Sequence, residues 1–246
     1  MAAKNKKMSD GDGSRALELV ENLLARAVHG AGPYKSAAAV ADEALRTHSD
    51  PERAIQRLYS SHRRLVGVTG FASGSAGLIA MPVTIPADVL TFYVTAARMV
   101  AAIAHIRGYD VDSEEVRTGI LLSLLGAGAG AAVGQAGAKI GNKIVIAQLG
   151  RLPGSVLTKI NQAVGFRLVT KFGAKGVINL AKVVPVVGGG VGAGVNVGTL
   201  KGIYAYSNRL FVPLPDAVSA VVAALSRPLS FSEAQRLPAS SAVAPV

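Results

Sequence analysis

Several polar side chains of different chemistry lie along one face of an otherwise apolar predicted helix, residues 86–108. This stripe holds Asp88, Thr91, Thr95, Arg98 and His105 in a background of Val, Leu, Phe, Ala and Met. A carboxylate, a guanidinium and an imidazole could hold a ligand or move protons. A polar stripe on an apolar helix either faces water or lines a polar cavity. The solvated stripe is the simpler interpretation; in the alternative, Arg98 anchors a carboxylate or phosphate headgroup.

Other catalytic and ligand-binding patterns are missing from the sequence. The chain has no cysteine, which excludes disulfides, thiolate metal sites and cysteine catalysis. It has no Gly-Lys dipeptide for a phosphate-binding P-loop, and the glycine-rich run 188–198 has no ribose-binding acid after it. The four histidines do not share ligand spacing on a helix face. We therefore expect no catalytic residues, no metal and no cofactor.

Charge is distributed unevenly along the chain. Its 246 residues carry a net charge of +11, yet residues 117–215 contain no Asp or Glu. Eleven Lys and Arg residues lie in that acid-free block, and the 15 bases elsewhere balance the 15 acids. Solvated faces ordinarily carry charges of both signs. This block therefore predicts a surface that binds anionic lipid, where each cation contributes roughly 1 kcal/mol to binding. The predicted membrane-binding residues are Lys159, Arg167, Lys171, Lys175 and Lys182, four of them on one face of an interfacial helix that Gly173 and Gly176 could split.

Glycines recur every four residues in the same block. On a helix this spacing forms a smooth face that lets a second helix approach closely, as is common in lipid. Tight crossing inside a soluble core is the alternative. The predicted helix-packing positions are Gly126, Gly130, Gly134, Gly190, Gly194, Gly198 and Gly202.

Apolar periodicity predicts helices throughout and no substantial sheet. Ser14 is expected to cap a helix over 14–29, Asp50 with Pro51 to start another, and Asp112 with Glu115 to start the helix after Gly108. Three uncharged stretches, 65–87, 118–138 and 183–200, approach the length of a membrane span but are rich in small residues. They favour buried or interfacial hairpins. The predicted fold is all-α, a compact bundle of amphipathic and glycine-rich apolar helices.

Four segments are predicted along the chain. Residues 1–13 form a disordered tail without the apolar core of a secretory signal, and residues 14–57 form a helical extension. Residues 58–226 form the main helical domain, followed by a flexible Pro, Ala and Ser-rich tail over 227–246.

Two stretches carry a resemblance to a known family. GSAGLIAMPVTIPADVLTFYVTAARMVAAIAHIRGYDVDSEEVR at 74–117 and KVVPVVGGGVGAGVNVGTLKGIYAYSNRLF at 182–211 resemble the signature stretches of the bacterial EcsC family. The likeness covers residues 58–212 and implies a helical, membrane-related protein, since the family takes its name from an operon that encodes an ABC transporter. It implies no catalytic residue. The matching positions, interpreted as turn and packing residues, are Pro82, Pro86, Asp88, Gly108, Tyr109, Asp110, Pro185, Gly188 and Asn196.

Together these features predict a non-enzymatic cytoplasmic protein that associates peripherally with the inner face of an anionic cell membrane through its acid-free half. It would act as an adaptor linked to transport or secretion, or as a lipid-binding module, with a membrane protein as a further candidate partner. The alternative is an enzyme or carrier for a lipid-like or fatty-acid ligand in a helical cavity, using Asp88, Arg98 and His105. Nucleic-acid binding is not expected, because the basic residues alternate with glycine and aliphatic side chains rather than with stacking aromatics.

Overall fold

A computed structural model of the chain describes residues 10–32, 34–75, 87–138, 145–172 and 188–214. This described part is an all-α bundle, as predicted, and its β-type pairing is limited to an isolated bridge between Ala31 and Tyr34. The helices are α1 (Asp10–His29), α2 (Ala37–Thr47), α3 (Pro51–Ser75), α4 (Ala87–Ile106), α5 (Glu114–Leu125), a 3-10 turn (Gly126–Gly128), α6 (Ala129–Gln135), α7 (Ile146–Leu149), α8 (Gly154–Phe172) and α9 (Gly188–Leu210).

Helix α4 is the centre of the bundle. It packs against α1, α2, α3, α5 and α9, and nearly all its side chains from Phe92 to Ile106 are buried. Its many alanines allow neighbouring helices to come close on several sides. A helix that is apolar around most of its circumference is stable only when it is enclosed in this way.

Local capping explains where several helices begin and end. Asp50 caps α3, since its Oδ2 accepts a hydrogen bond from the Arg53 amide at 3.2 Å. Gly108, with φ +85°, ends α4 where the Tyr109 amide donates to the Ala104 carbonyl at 3.0 Å. The predicted Asp112 cap is wrong: α5 begins at Glu114, after Ser113.

The N-terminal helices belong to the same core as the rest of the described chain. On α1, Val20, Leu24 and Ala27 are fully buried, and the helix packs on α4 and α8. Residues 14–57 therefore share their core with the predicted main domain, and the boundary at residue 57 falls inside α3. The predicted tails lie outside the described residues, apart from the start of α1.

The predicted glycine packing face is largely wrong within the described chain. Gly126 has φ +55° and ends α5, so the glycines from 126 to 134 do not share one helix. Its Cβ position would lie 3.9 Å from the Gly202 backbone, which is an ordinary van der Waals distance and not a close approach. A Cβ added at five other predicted positions would meet no atom within 4 Å: Gly130, Gly134, Gly194, Gly198 and Gly202. The surroundings of Gly190 lie outside the described residues.

Different glycines make the close helix contacts. A Cβ at Gly165 of α8 would collide with the carbonyl group of Ala16 on α1. Gly119 of α5 similarly faces the side chains of Ile146, Leu210 and Phe211. Neither glycine belongs to a four-residue series, and their role depends on which helices meet in three dimensions.

Among the described residues, two apolar windows are long enough to cross a membrane by length and composition alone. They are Val89–Ile106, within α4, and Glu114–Gln135, which includes the break at Gly126. Of these windows, 72% and 67% respectively are buried inside the bundle. Their apolar surface is thus used mainly in packing against other helices, as in the core helices of a bundle.

Candidate functional site

Arg98 is buried in the bundle rather than solvated. Only 8% of its surface is exposed, and Thr95, one turn earlier on α4, is 3% exposed. The guanidinium carbon lies 5.6 Å from the centre of the Tyr34 ring, and the Nε atom has no hydrogen-bond partner. Burial lowers the pKa of Arg98. The simpler interpretation of the stripe as a water-facing surface is therefore wrong at Arg98 and Thr95.

His62 on α3 is a second buried polar side chain, and no sequence pattern singled it out. It is 4% exposed, and its Nδ1 lies 2.8 Å from the Leu58 carbonyl oxygen. Because a carbonyl can only accept, Nδ1 carries the proton, which leaves Nε2 as a buried acceptor without a partner. Burial lowers the pKa of His62 to about 4, and the charge of Arg98 contributes in the same direction. His62 is therefore neutral near pH 7.

Another predicted stripe residue, His105, does not join Arg98. His105 is two turns away along α4 and half-buried, with its Nε2 3.6 Å from the Asp42 Oδ1 on α2. An open depression lined by Lys35, Ala39, Asp42, Glu43 and Arg46 lies beside that pair. The side chain of Asp88 lies outside the described residues. The described side chains therefore do not converge on one shared catalytic arrangement.

Helices α3 and α9 form an antiparallel pair. The rings of Tyr59 and Tyr204 stack with their centres 4.2 Å apart, and the Asn196 Nδ2 lies 3.5 Å from the Val66 carbonyl oxygen. A Cβ at Gly67 would lie 3.6 Å from Val197. These contacts fix the register and bring Lys201 level with the turn of α3 that holds Arg63 and Arg64.

This pair combines exposed cations with a lack of carboxylates. Neither α9 nor the part of α3 after Glu52 contains an acidic residue. Five exposed cations without an ion pair among the described residues lie on the two helices: Arg57, Arg63, Arg64, Lys201 and Arg209. The three nearest the contact of Val66 with Asn196 are Arg63, Arg64 and Lys201.

Exposed aliphatic side chains lie at the same level of the two helices as these cations. Leu65 is 41% exposed, Val68 is 68% exposed and Val195 is 45% exposed. All three lie within a turn of the contact between Val66 and Asn196. We call Arg63, Arg64, Leu65, Val68, Val195 and Lys201 together the α3–α9 surface. The basic run of α3 is visible in the sequence, but its pairing with α9 is not.

The predicted basic stripe on α8 and beyond is only partly described. Lys159 is exposed on α8. Arg167 is half-buried and donates hydrogen bonds to the Gly128 carbonyl at 3.3 Å and the Gln135 Oε1 at 3.4 Å. It is thus tied to the segment after α5 and does not extend freely from the helix. Lys175, Lys182 and the side chain of Lys171 lie outside the described residues.

The turn and packing interpretation holds for several positions of the EcsC resemblance. Tyr109 donates a hydrogen bond to the Val212 carbonyl at 2.7 Å, and Asp110 accepts one from the Asp112 amide at 3.0 Å.

Comparisons with protein-family models, curated proteins and solved structures gave no match. The described residues contain no group of three or more His, Asp or Glu side chains that could hold a metal ion.

Proposed function

We propose that the protein docks peripherally on an anionic membrane surface through the α3–α9 surface. The observation that carries this proposal is the presence of exposed Leu65, Val68 and Val195 at the same level as unpaired cations on two helices that lack carboxylates. Aliphatic side chains flanked by Lys and Arg are typical of segments that lie at the boundary between headgroups and acyl chains.

The cations and the aliphatic side chains contribute comparable amounts to the free energy of membrane binding. Three cations near an anionic leaflet contribute about 3 kcal/mol together. Burying a Val or Leu side chain completely contributes about 1.5–3 kcal/mol, and these three begin partly covered, so each contributes less. The sum supports reversible association that salt weakens. The proposed binding surface therefore combines α9, which lies in the acid-free block, with α3, which lies in the electrically neutral part of the sequence.

The resemblance to the EcsC family is consistent with this role, and we propose the cytoplasmic face of the cell membrane as its place. There the protein would serve as an adaptor or lipid-binding module for membrane transport. Lys159, which is exposed on α8, would add to long-range attraction without contacting the apolar patch.

Vesicle flotation with matched charge variants tests this proposal. The triple variant Arg63→Gln, Arg64→Gln, Lys201→Gln should bind vesicles of phosphatidylglycerol and phosphatidylcholine roughly 100-fold more weakly than the wild type, as expected for three cations of about 1 kcal/mol each. The control, Arg15→Gln, Arg26→Gln, Arg46→Gln, removes equal charge from exposed positions of α1 and α2 and should retain most binding. Equal losses in both variants would contradict a localised surface, and absence of wild-type binding would contradict membrane docking.

A further inference from the structure

Among the described residues of the α3–α9 surface, Arg63 is the cation that an aromatic contact holds in place. Its guanidinium carbon lies 5.9 Å from the centre of the Tyr59 ring, one turn earlier on α3. The Tyr59 ring in turn stacks on Tyr204 of α9, with the ring centres 4.2 Å and the ring planes 17° apart. Because both tyrosines are half-buried, the stack gives Arg63 a fixed support. The guanidinium is therefore held where α3 and α9 meet.

The contact with Tyr59 leaves Arg63 able to bind an anion. Attraction between a cation and a ring is electrostatic and does not saturate the five N–H donors of a guanidinium. Arg63 is exposed, and no carboxylate pairs with it among the described residues. A planar guanidinium can donate two parallel hydrogen bonds to the oxygens of one phosphate. A support that restricts the side chain also lowers the entropy that is lost when those bonds form.

Two further cations lie at the level of Arg63. Arg64 follows it on α3, and the register of the helix pair places Lys201 of α9 at the same level. Neither α9 nor this part of α3 contains a carboxylate that would compete for the cations. A phosphodiester carries one negative charge, whereas a phosphate monoester carries about −1.5 to −2 at pH 7. Three cations at one level therefore match the charge of a monoester better than that of a diester.

We propose that the α3–α9 surface selects lipids whose headgroup is a phosphate monoester, as in phosphatidic acid, and that Arg63 determines this selectivity. This inference rests on the proposed membrane docking and names the lipid class that the surface prefers. Exposed Leu65 and Val68 enter the acyl boundary in that docking and keep the guanidinium near the lipid phosphates. A terminal phosphate offers three free oxygens there, whereas the phosphate of phosphatidylglycerol is esterified on both sides and offers two.

Vesicle flotation at matched surface charge tests this selectivity. Phosphatidylcholine vesicles receive either phosphatidic acid or phosphatidylglycerol in amounts that give the same zeta potential, so that non-specific attraction is equal. We expect the wild type to bind the phosphatidic acid vesicles roughly ten-fold more tightly, as expected for one additional hydrogen bond between charged groups. Arg63→Lys keeps the charge but loses the planar donors, and should bind both kinds of vesicle about equally. Arg57→Lys, at an exposed arginine of α3 outside this surface, should keep the preference.

A second pair of variants separates the aromatic support from the charge. Tyr59→Leu removes the ring without changing any charge, and should reduce the preference for phosphatidic acid. Tyr59→Phe keeps the ring and should retain the preference. Circular dichroism and binding to the phosphatidylglycerol vesicles show that the variants are folded. An unchanged preference in folded Tyr59→Leu would overturn the role of the ring.

The remaining outcomes separate this selectivity from membrane docking. Equal binding of the wild type to both lipids at matched charge would overturn the selectivity and leave the docking intact. An unchanged preference in Arg63→Lys, or an equal loss in Arg57→Lys, would overturn the assignment to Arg63. Absence of binding to either kind of vesicle would contradict the docking itself, and the selectivity with it.

Discussion

At the residue scale, the two buried arginines of the bundle have different roles. Arg107 donates to the carbonyls of Asn208 at 3.1 Å and Phe211 at 2.5 Å as well as to Glu52, and so joins the end of α9 to the start of α3. All these acceptors come from the chain itself, which is what a structural cation requires. The Nε atoms of both arginines have no hydrogen-bond partner, but Arg98 has the Tyr34 ring beside it where Arg107 has Glu52. Arg107 therefore holds the fold through its Nη atoms, whereas the described residues provide no ion pair for Arg98.

His62 makes stability depend on pH in a defined direction. Its folded-state pKa of about 4 lies below the ordinary value of 6.5, so the unfolded chain takes up the proton first as the pH falls. The contribution is fully present above about pH 6.5 and is lost progressively toward pH 4. Between about pH 7 and pH 4.5, wild type should lose roughly 2 kcal/mol more unfolding free energy than His62→Phe.

Urea unfolding at the two pH values measures this difference. Because carboxylates elsewhere titrate in both proteins, the comparison of wild type with His62→Phe isolates the histidine. His29→Gln is the control, since the His29 side chain is 57% exposed and should behave as wild type does. Identical pH dependence in wild type and His62→Phe would mean that His62 is not buried in its neutral form.

At the scale of elements, the glycines that bring helices together can be told apart from those that do not. Gly165→Ala adds a methyl group against the Ala16 carbonyl, which must push α8 away from α1 and should cost about 1–3 kcal/mol. Gly194→Ala is the matched control on α9: its methyl group meets no atom within 4 Å, so improved helix propensity should stabilise the protein by about 0.5–1 kcal/mol. Thermal unfolding of both variants checks the signs. Destabilisation by Gly194→Ala would contradict this expectation and would support the glycine packing face predicted from the sequence.

Local signals predict the helices better than they predict their partners. The Asp50 cap with Pro51, the apolar face of α1 and the span of α4 follow from rules that act within a turn or two of chain. The packing face predicted from the four-residue glycine spacing is largely wrong, because α5 ends at Gly126 and the glycine side of α9 is open. Both features depend on tertiary contacts, which the spacing does not encode. Arg98 was identified from its helix face, but its burial depends on Tyr34 and α3, and His62 carried no signal beyond being a histidine.

At the scale of the whole molecule, folding rearranges the charge pattern of the sequence. The acid-free block ends at residue 215, yet α9 from that block packs along α3 from the electrically neutral half. The cations of α3 therefore join those of α9, while Glu52 is held by Arg107 at the opposite end of the pair. In the proposed docking, a net charge of +11 attracts the protein to anionic surfaces, and the apolar patch determines which side makes contact.

A single tryptophan provides the most direct test of membrane docking, since the chain contains none. Val68→Trp places the reporter in the α3–α9 surface, and Val212→Trp places it at a comparably exposed site beyond the other end of α9. With phosphatidylglycerol vesicles, the emission of Val68→Trp should shift to shorter wavelength and be quenched by brominated acyl chains, because the indole enters the headgroup boundary. The emission of Val212→Trp should stay unchanged. Equal responses from the two variants, or none from Val68→Trp while the protein is bound, would contradict docking through the α3–α9 surface.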